Sequence, residues 1–263
     1  PPQESETIDE PVEIPGKDPL PDEYVEDPID LSSGAHVIQN TLMTIHGAQT
    51  LSLVASYKSN LLTVGSFGTG WSHNYEKRLV DHGDELWVYD SPTYYAVYHL
   101  GAPGSDYYTT DTPTKEGYGI TKSTTGYVVN CNSKVKEYYD NEGKLYRIIT
   151  KDGFTTLLEY PDANTVKITD QVSGRYMILV KNADGKIASV TDNAGRTCTL
   201  GYTDDFLTSI TDENGNLLTY EYNENGQVKR GIDGTGSAYF TDTYDSLGRV
   251  ITQKDGLSDS VTT

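Results

Sequence analysis

Five histidines, His36, His46, His73, His82 and His99, are the side chains in this sequence best suited to move protons or to bind a transition metal. None stands four residues from another and no cysteine pair lies nearby, so the spacing that closes a zinc site is missing. Ser72-His73 sets a hydroxyl beside an imidazole. Neighbours on a strand point to opposite faces, however, and no Gly-x-Ser-x-Gly elbow surrounds the serine. Carboxylates gather at Asp212-Glu213-Asn214-Gly215-Asn216 and at Asp233-Gly234, where oxygen-rich turns could hold calcium. The glutamate that would finish such a loop is absent at the required spacing, and turn chemistry accounts for these residues. Acid pairs for glycoside hydrolysis could be drawn at will from 39 acids, which makes any choice uninformative. The sequence therefore names no catalytic residue, no cofactor-binding residue and no metal ligand. It assigns Trp71, His73 and Tyr75 to anchoring a core and its junction with the second half of the chain.

The elements that would carry these residues are β-strands. The 263 residues include 21 Tyr and 25 Gly against 4 Phe and 2 Met, a balance that suits half-buried pleated surfaces joined by tight turns. A formal net charge of -19 sets the chain against phosphate backbones and anionic lipid, which argues against nucleic acid as a partner. Eleven acids, one base and seven prolines fall in residues 1–30, which read as an extended linker. No apolar run is long enough to enter a membrane as a helix. Cys131 and Cys198 lie about three repeats apart, beyond the roughly 7 Å Cα reach of a disulfide, and are expected to be free and buried.

Internal repetition is the strongest signal. Turn residues align at Gly143, Asn164, Gly185, Asp205, Gly226 and Gly248, with successive differences of 21, 21, 20, 21 and 22. These are residue types that tolerate a left-handed backbone. Four places earlier stand Tyr139, Tyr160, Tyr222 and Tyr244, and ten places later stand Gly153, Gly174, Gly195, Gly215 and Gly236, so a second turn closes each unit. The register-locked tyrosines are expected to stack on their equivalents in the next repeat. Apolar residues fall two and five places after the first turn, as Leu145/Ile148, Ile187/Val190 and Leu207/Ile210. Those offsets face opposite ways on a regular strand, so the strand must bend or bulge if one face holds both. Residues 31 to about 135 lack the period, but 50–57 and 85–90 alternate as strands, with turn chemistry at 82–85 and 101–106.

Two resemblances rest on these residues. Tyr244-Asp245-Ser246-Leu247-Gly248-Arg249-Val250, and Tyr139-Asp140-Asn141-Glu142-Gly143-Lys144-Leu145 with Lys for Arg, are similar to YD repeats of Rhs-type proteins. The units near Leu179 and Gly201 lack the Tyr-Asp pair. Upstream, Asp27-Pro28-Ile29-Asp30-Leu31-Ser32-Ser33-Gly34 and Phe67-Gly68-Thr69-Gly70-Trp71-Ser72-His73-Asn74-Tyr75 resemble the domain that leads into such repeats. The resemblance implies a spiralling β-sheet that walls a hollow shell around a C-terminal toxin, as in secreted or surface-borne bacterial proteins; animal teneurins use a related barrel.

The expectation is thus an all-β, non-enzymatic chain with three parts: an acidic Pro-rich linker at 1–30, a lead-in β domain at 31–135, and about six YD repeats forming an open, curved antiparallel sheet at 136–263. Its expected partners are the rest of its own full-length chain, namely further repeats and a toxin. Cell-surface glycan is the alternative, and no cofactor is expected. An open sheet edge at the C-terminal repeat would favour weak self-association.

Overall fold

The computed structural model describes residues 29–30, 32–92, 94–255 and 261–262. The stretch 1–28, most of the acidic linker, lies outside the described residues, as do 256–260 and 263 at the expected open edge. At the start of the described part Asp30 is buried. Burial pushes its carboxyl up, but hydrogen bonds from Ser32 and the ammonium of Lys58 outweigh that and hold it at about 2.

The chain is all-β. β1 (Val37–His46) pairs with β2 (Thr50–Lys58). A short ribbon of β3 (Val64–Gly65) and β4 (Gly68–Thr69) leads to β5 (Trp71–His73), which pairs with β2 to complete a three-stranded sheet. The remaining strands form a single strip. It begins with β6 (Arg78–Asp81), β7 (Glu85–Tyr89), β8 (Tyr95–Leu100), β9 (Tyr107–Thr109), β10 (Gly119–Ser123) and β11 (Gly126–Asn130). It continues as β12 (Lys136–Tyr139), β13 (Leu145–Ile149), β14 (Thr155–Asp162), β15 (Thr165–Asp170), β16 (Tyr176–Lys181), β17 (Ile187–Asp192) and β18 (Thr197–Thr203). The last strands are β19 (Phe206–Thr211), β20 (Leu217–Tyr222), β21 (Val228–Ile232), β22 (Ala238–Tyr244), β23 (Val250–Asp255) and β24 (Val261–Thr262). Each strand of the strip pairs antiparallel with the next, and pairing runs without a break from the lead-in strands into the repeats. Near its start the strip curls until Arg78 bridges Lys144 and the Leu79 N–H donates to the Gly143 carbonyl at 2.9 Å. Among the described residues no pairing joins β24 to β6, so the strip as a whole stays open.

The turns follow from side-chain chemistry as well as from glycine. Asp140, Asn182, Asp192, Asp212, Asn223, Asp233 and Asp245 each accept the N–H groups of the residues two and four places on, at 2.8 to 3.1 Å. The glycine three places on takes a positive φ in every case. The carboxylates of Asp212 and Asp233 are thus occupied by their own turns. Two aligned positions differ from expectation: Asn164 and Asp205, the second residues of the two-residue turns that close β14–β15 and β18–β19, are not left-handed, and in the second of these turns Asp204 takes φ 52° instead.

The offsets of two and five are reconciled by a bulge. Tyr139 faces Leu145 while Tyr138 faces Arg147, leaving Tyr146 as the extra residue. Ala188, Thr208, Lys229 and Ile251 occupy the same place in later units. One additional residue flips the alternation, so Ile187 with Val190 and Leu207 with Ile210 are buried on one face.

That face is covered by the chain itself. Leu42, Met43, Ile45, Leu51, Leu53, Tyr57 and Trp71 of the three-stranded sheet share one core with Met177, Leu179, Ile187, Val190, Leu207 and Val228 of the strip. Cys198 is buried and Cys131 half-buried, both free, and burial pushes each thiol up to about 12.

Candidate functional site: the tyrosine ladder and its docked sheet

Bulge and turn together aim the register tyrosines back at the preceding unit. The hydroxyls of Tyr160, Tyr202 and Tyr222 each donate to a main-chain carbonyl fifteen residues earlier, those of Leu145, Ile187 and Leu207, at 2.7 Å. Tyr244 donates to Val228 O at 2.5 Å. Every acceptor is the apolar residue that follows the first turn of the previous repeat. Repeats are therefore locked hydroxyl to backbone, except where Lys181 stands in the tyrosine position. The expected stacking of equivalent rings does not occur: among the described residues no two of these four rings are in contact, and Tyr222 packs instead on Phe206, 4.7 Å between centroids. The unit near Gly201 keeps the ladder because its turn is shortened by one residue, which leaves Tyr202 in the tyrosine position. Spacing measured from the turn conceals this.

The docked sheet reads the same ladder from the other side. Trp71 Nε1 donates to the Tyr222 hydroxyl at 3.0 Å, and Tyr57 accepts the Val228 N–H at 2.8 Å. Asn40 donates to the Tyr220 hydroxyl at 2.7 Å, and Thr69 N–H reaches Asp205 O at 2.8 Å. Ser59 donates to Gly248 O at 2.7 Å, and Val250 N–H to Gly34 O at 2.9 Å. At the other end Asp170 accepts from Ala48, while Arg175 and Arg196 donate to His46 O and Thr44 O. Residues 34–73 thus bond to successive repeats from β15 to β23. Removing single hydroxyls should reveal the ladder: Tyr202→Phe is expected to cost about 1 kcal/mol, one buried hydrogen bond, and Tyr222→Phe more, because it also orphans the Trp71 donor. Guanidinium unfolding of the two variants checks the order, and equal or negligible losses would contradict it.

His73 is buried on the face opposite Ser72 and packs edge-on against Phe67. Its Nδ1 accepts the Tyr75 N–H at 3.2 Å, so the ring is neutral with its proton on Nε2. Burial, aided by the Lys181 charge, lowers its pKa from 6.5 to about 3. A folded-state pKa below the unfolded value contributes stability that is complete above about 6.5 and lost as the pH falls toward 3. Unfolding followed from neutral pH down to about 4 should show this acid loss, and His73→Gln should flatten it. A variant with the same slope as the parent would refute the assignment.

A second constellation was invisible in the sequence. Lys77, just before β6, lies 3.0 Å from Asp90 Oδ1 and 2.7 Å from Glu137 Oε1. Lys115 Nζ lies 2.5 Å from Asp90 Oδ2, and the Tyr139 hydroxyl donates to Glu137 Oε2 at 2.8 Å. Burial draws the Lys77 ammonium down and the Asp90 carboxyl up, but their opposite charges reverse both shifts, so the cluster is held as ion pairs. Lys77, Asp90 and Glu137 come from strand ends and Lys115 from the 3-10 turn Pro113–Lys115, and Lys77 and Glu137 are 60 positions apart. The lone cue available in the sequence was polar residues at inward register positions, which turn residues imitate.

Residues 118–254, more than half of the chain, match the family described as Teneurin YD-shell, and residues 26–96 match a domain of unknown function (DUF6531). The chain belongs to the YD-shell family. No curated protein matches it. The YD-shell match supports a structural shell role, in keeping with the tyrosine-locked strip, and both matches are associated with Rhs-type YD-repeat proteins. The family points to extracellular or cell-surface proteins. Among the described residues no helix is long and apolar enough to cross a membrane.

Proposed function

We propose that this chain is a non-enzymatic wall segment of a secreted or cell-surface bacterial Rhs/YD-repeat protein, which encloses or presents a C-terminal toxin that is not among these residues. The observation that carries the reading is the use made of the tyrosines. Their hydroxyls are spent on the backbone of the preceding repeat, and the apolar face they line is filled by β1, β2 and β5. A wall needs that rigidity, whereas a recognition surface would leave the polar groups free. Limited proteolysis of the longest natural polypeptide containing these repeats is the test. The portion C-terminal to the strip should resist protease until the strip is unfolded, and cleavage there under native conditions would count against enclosure.

Glycan binding is the second reading, favoured by the outward row in which His82, Trp87 and Tyr95 lie 4.6 and 4.8 Å apart. Trp87 and Tyr95 stack face to face and His82 tilts across Trp87, which leaves edges more than faces for a sugar. Saturable binding of an oligosaccharide that Trp87→Ala abolishes would support it. Self-association through the C-terminal edge belongs to the same proposal. Light scattering over a wide concentration range reads it, and a strict monomer would count against it.

A further inference from the structure

The geometry points to a modification site: Lys77 and Asp90 are placed to condense into an intramolecular amide that staples the first two strands of the strip, with Glu137 as proton carrier. Arg78 pairs with Tyr89 across β6 and β7, so Lys77 and Asp90 oppose each other at the next position. The 3.0 Å between Nζ and Oδ1 holds the nucleophile in hydrogen-bond contact with the carboxyl group that it would attack. Glu137 Oε1, 2.7 Å from the same nitrogen, can take its proton, and Tyr139 fixes that carboxylate through its other oxygen. Lys115, 2.5 Å from Asp90 Oδ2, faces the oxygen on which negative charge develops. Aromatic rings of Tyr118 and Tyr94 lie 5.1 and 5.9 Å from the Lys115 ammonium and help to keep water away.

The step balances without an outside reagent. The Lys77 ammonium gives one proton to Glu137, and the neutral amine attacks the Asp90 carboxyl carbon, forming the C–N bond. Oδ1 leaves as water, carrying that proton and a second one from the nitrogen, both relayed by Glu137, which ends ionised as it began. An ammonium and a carboxylate become a neutral amide and water, with nothing oxidised or reduced. Condensation replaces a buried ion pair, which opposite charges sustain against the cost of burial, by a neutral amide, and leaves Lys115 and Glu137 as the remaining charges of the cluster. β6 is the leading edge of the strip, held on its outer side by the Arg78–Lys144 bridge and the Leu79 bond, and the amide would prevent it from peeling.

Intact-mass measurement of the purified, denatured chain decides the matter. The expected mass is that of the sequence less one water. Trypsin should fail to cut after Lys77 and yield residues 59–78 joined to 79–115 as one branched product, which separates this bond from dehydration elsewhere. Glu137→Gln and Lys77→Arg should each restore the full mass, Glu137→Gln while retaining the parent near-ultraviolet circular dichroism. A folded parent of full sequence mass, digested into separate peptides ending at Lys77 and at Lys115, would overturn the proposal whatever the variants do.

Discussion

Replacing Trp71 with alanine is expected to destabilise the fold by about 3–5 kcal/mol, the range for deleting a fully enclosed large aromatic side chain. Trp71 is 1% exposed, lies 5.2 Å from the Tyr57 ring and 5.1 Å from the Tyr220 ring, and donates to the Tyr222 hydroxyl. It therefore touches the docked sheet and the ladder at once, and little around it can collapse into the space. Trp87, half-buried on the outer face, should cost clearly less. Denaturant midpoints measured at unchanged slope give the comparison, and a loss below about 1 kcal/mol at Trp71 would mean that the docked sheet is not part of the core.

Gly143→Ala should be nearly as damaging, for a different reason. Its φ of 77° strains any side chain, a cost of about 1–2 kcal/mol that Gly153→Ala, at φ 86°, should also carry. Nothing lies within 4 Å of a Cβ at Gly153, whereas a Cβ at Gly143 would run into the Leu79 carbonyl oxygen. That backbone cannot yield without giving up the hydrogen bond by which the strip curls on itself. Overpacking adds about 1–3 kcal/mol, so Gly143→Ala should exceed Gly153→Ala by that margin. Thermal unfolding of the pair checks it, and equal losses would show that turn geometry alone selects the glycine.

The repeats were legible because their signal is local. An Asp or Asn three places before a Gly organises its own five-residue turn, so the period survives in one dimension as positions 143, 185, 226 and 248. The bulge was legible as a contradiction between offsets of two and five, resolved once Tyr146 and Ala188 proved to be extra residues. Long-range relations were not legible. Alternation in Leu51, Leu53, Ala55 and Tyr57 marks a strand but does not say which surface it covers. Nor does His82-Gly83-Asp84-Glu85 announce that β6 and β7 start the same sheet that the repeats extend, since their turns follow no period. The junction role assigned to Trp71 could be argued from its size. The Lys77, Asp90, Lys115 and Glu137 cluster depends on a curl that brings β6 against the 140–144 turn, and no short-range pattern encodes that closure.

The central claim, that residues 34–73 and the repeats fold as one tyrosine-locked body, is tested most directly by native-state hydrogen exchange. The amides of Thr69, Ile187, Val228 and Val250 are held by bonds between the docked sheet and the strip. On this account they exchange only through global opening, with the same free energy and denaturant dependence as mid-strip amides such as Ile178 and Val190. Exchange of these four through a cheaper opening that leaves the strip protected would show that the sheet is a detachable cover and would contradict the account.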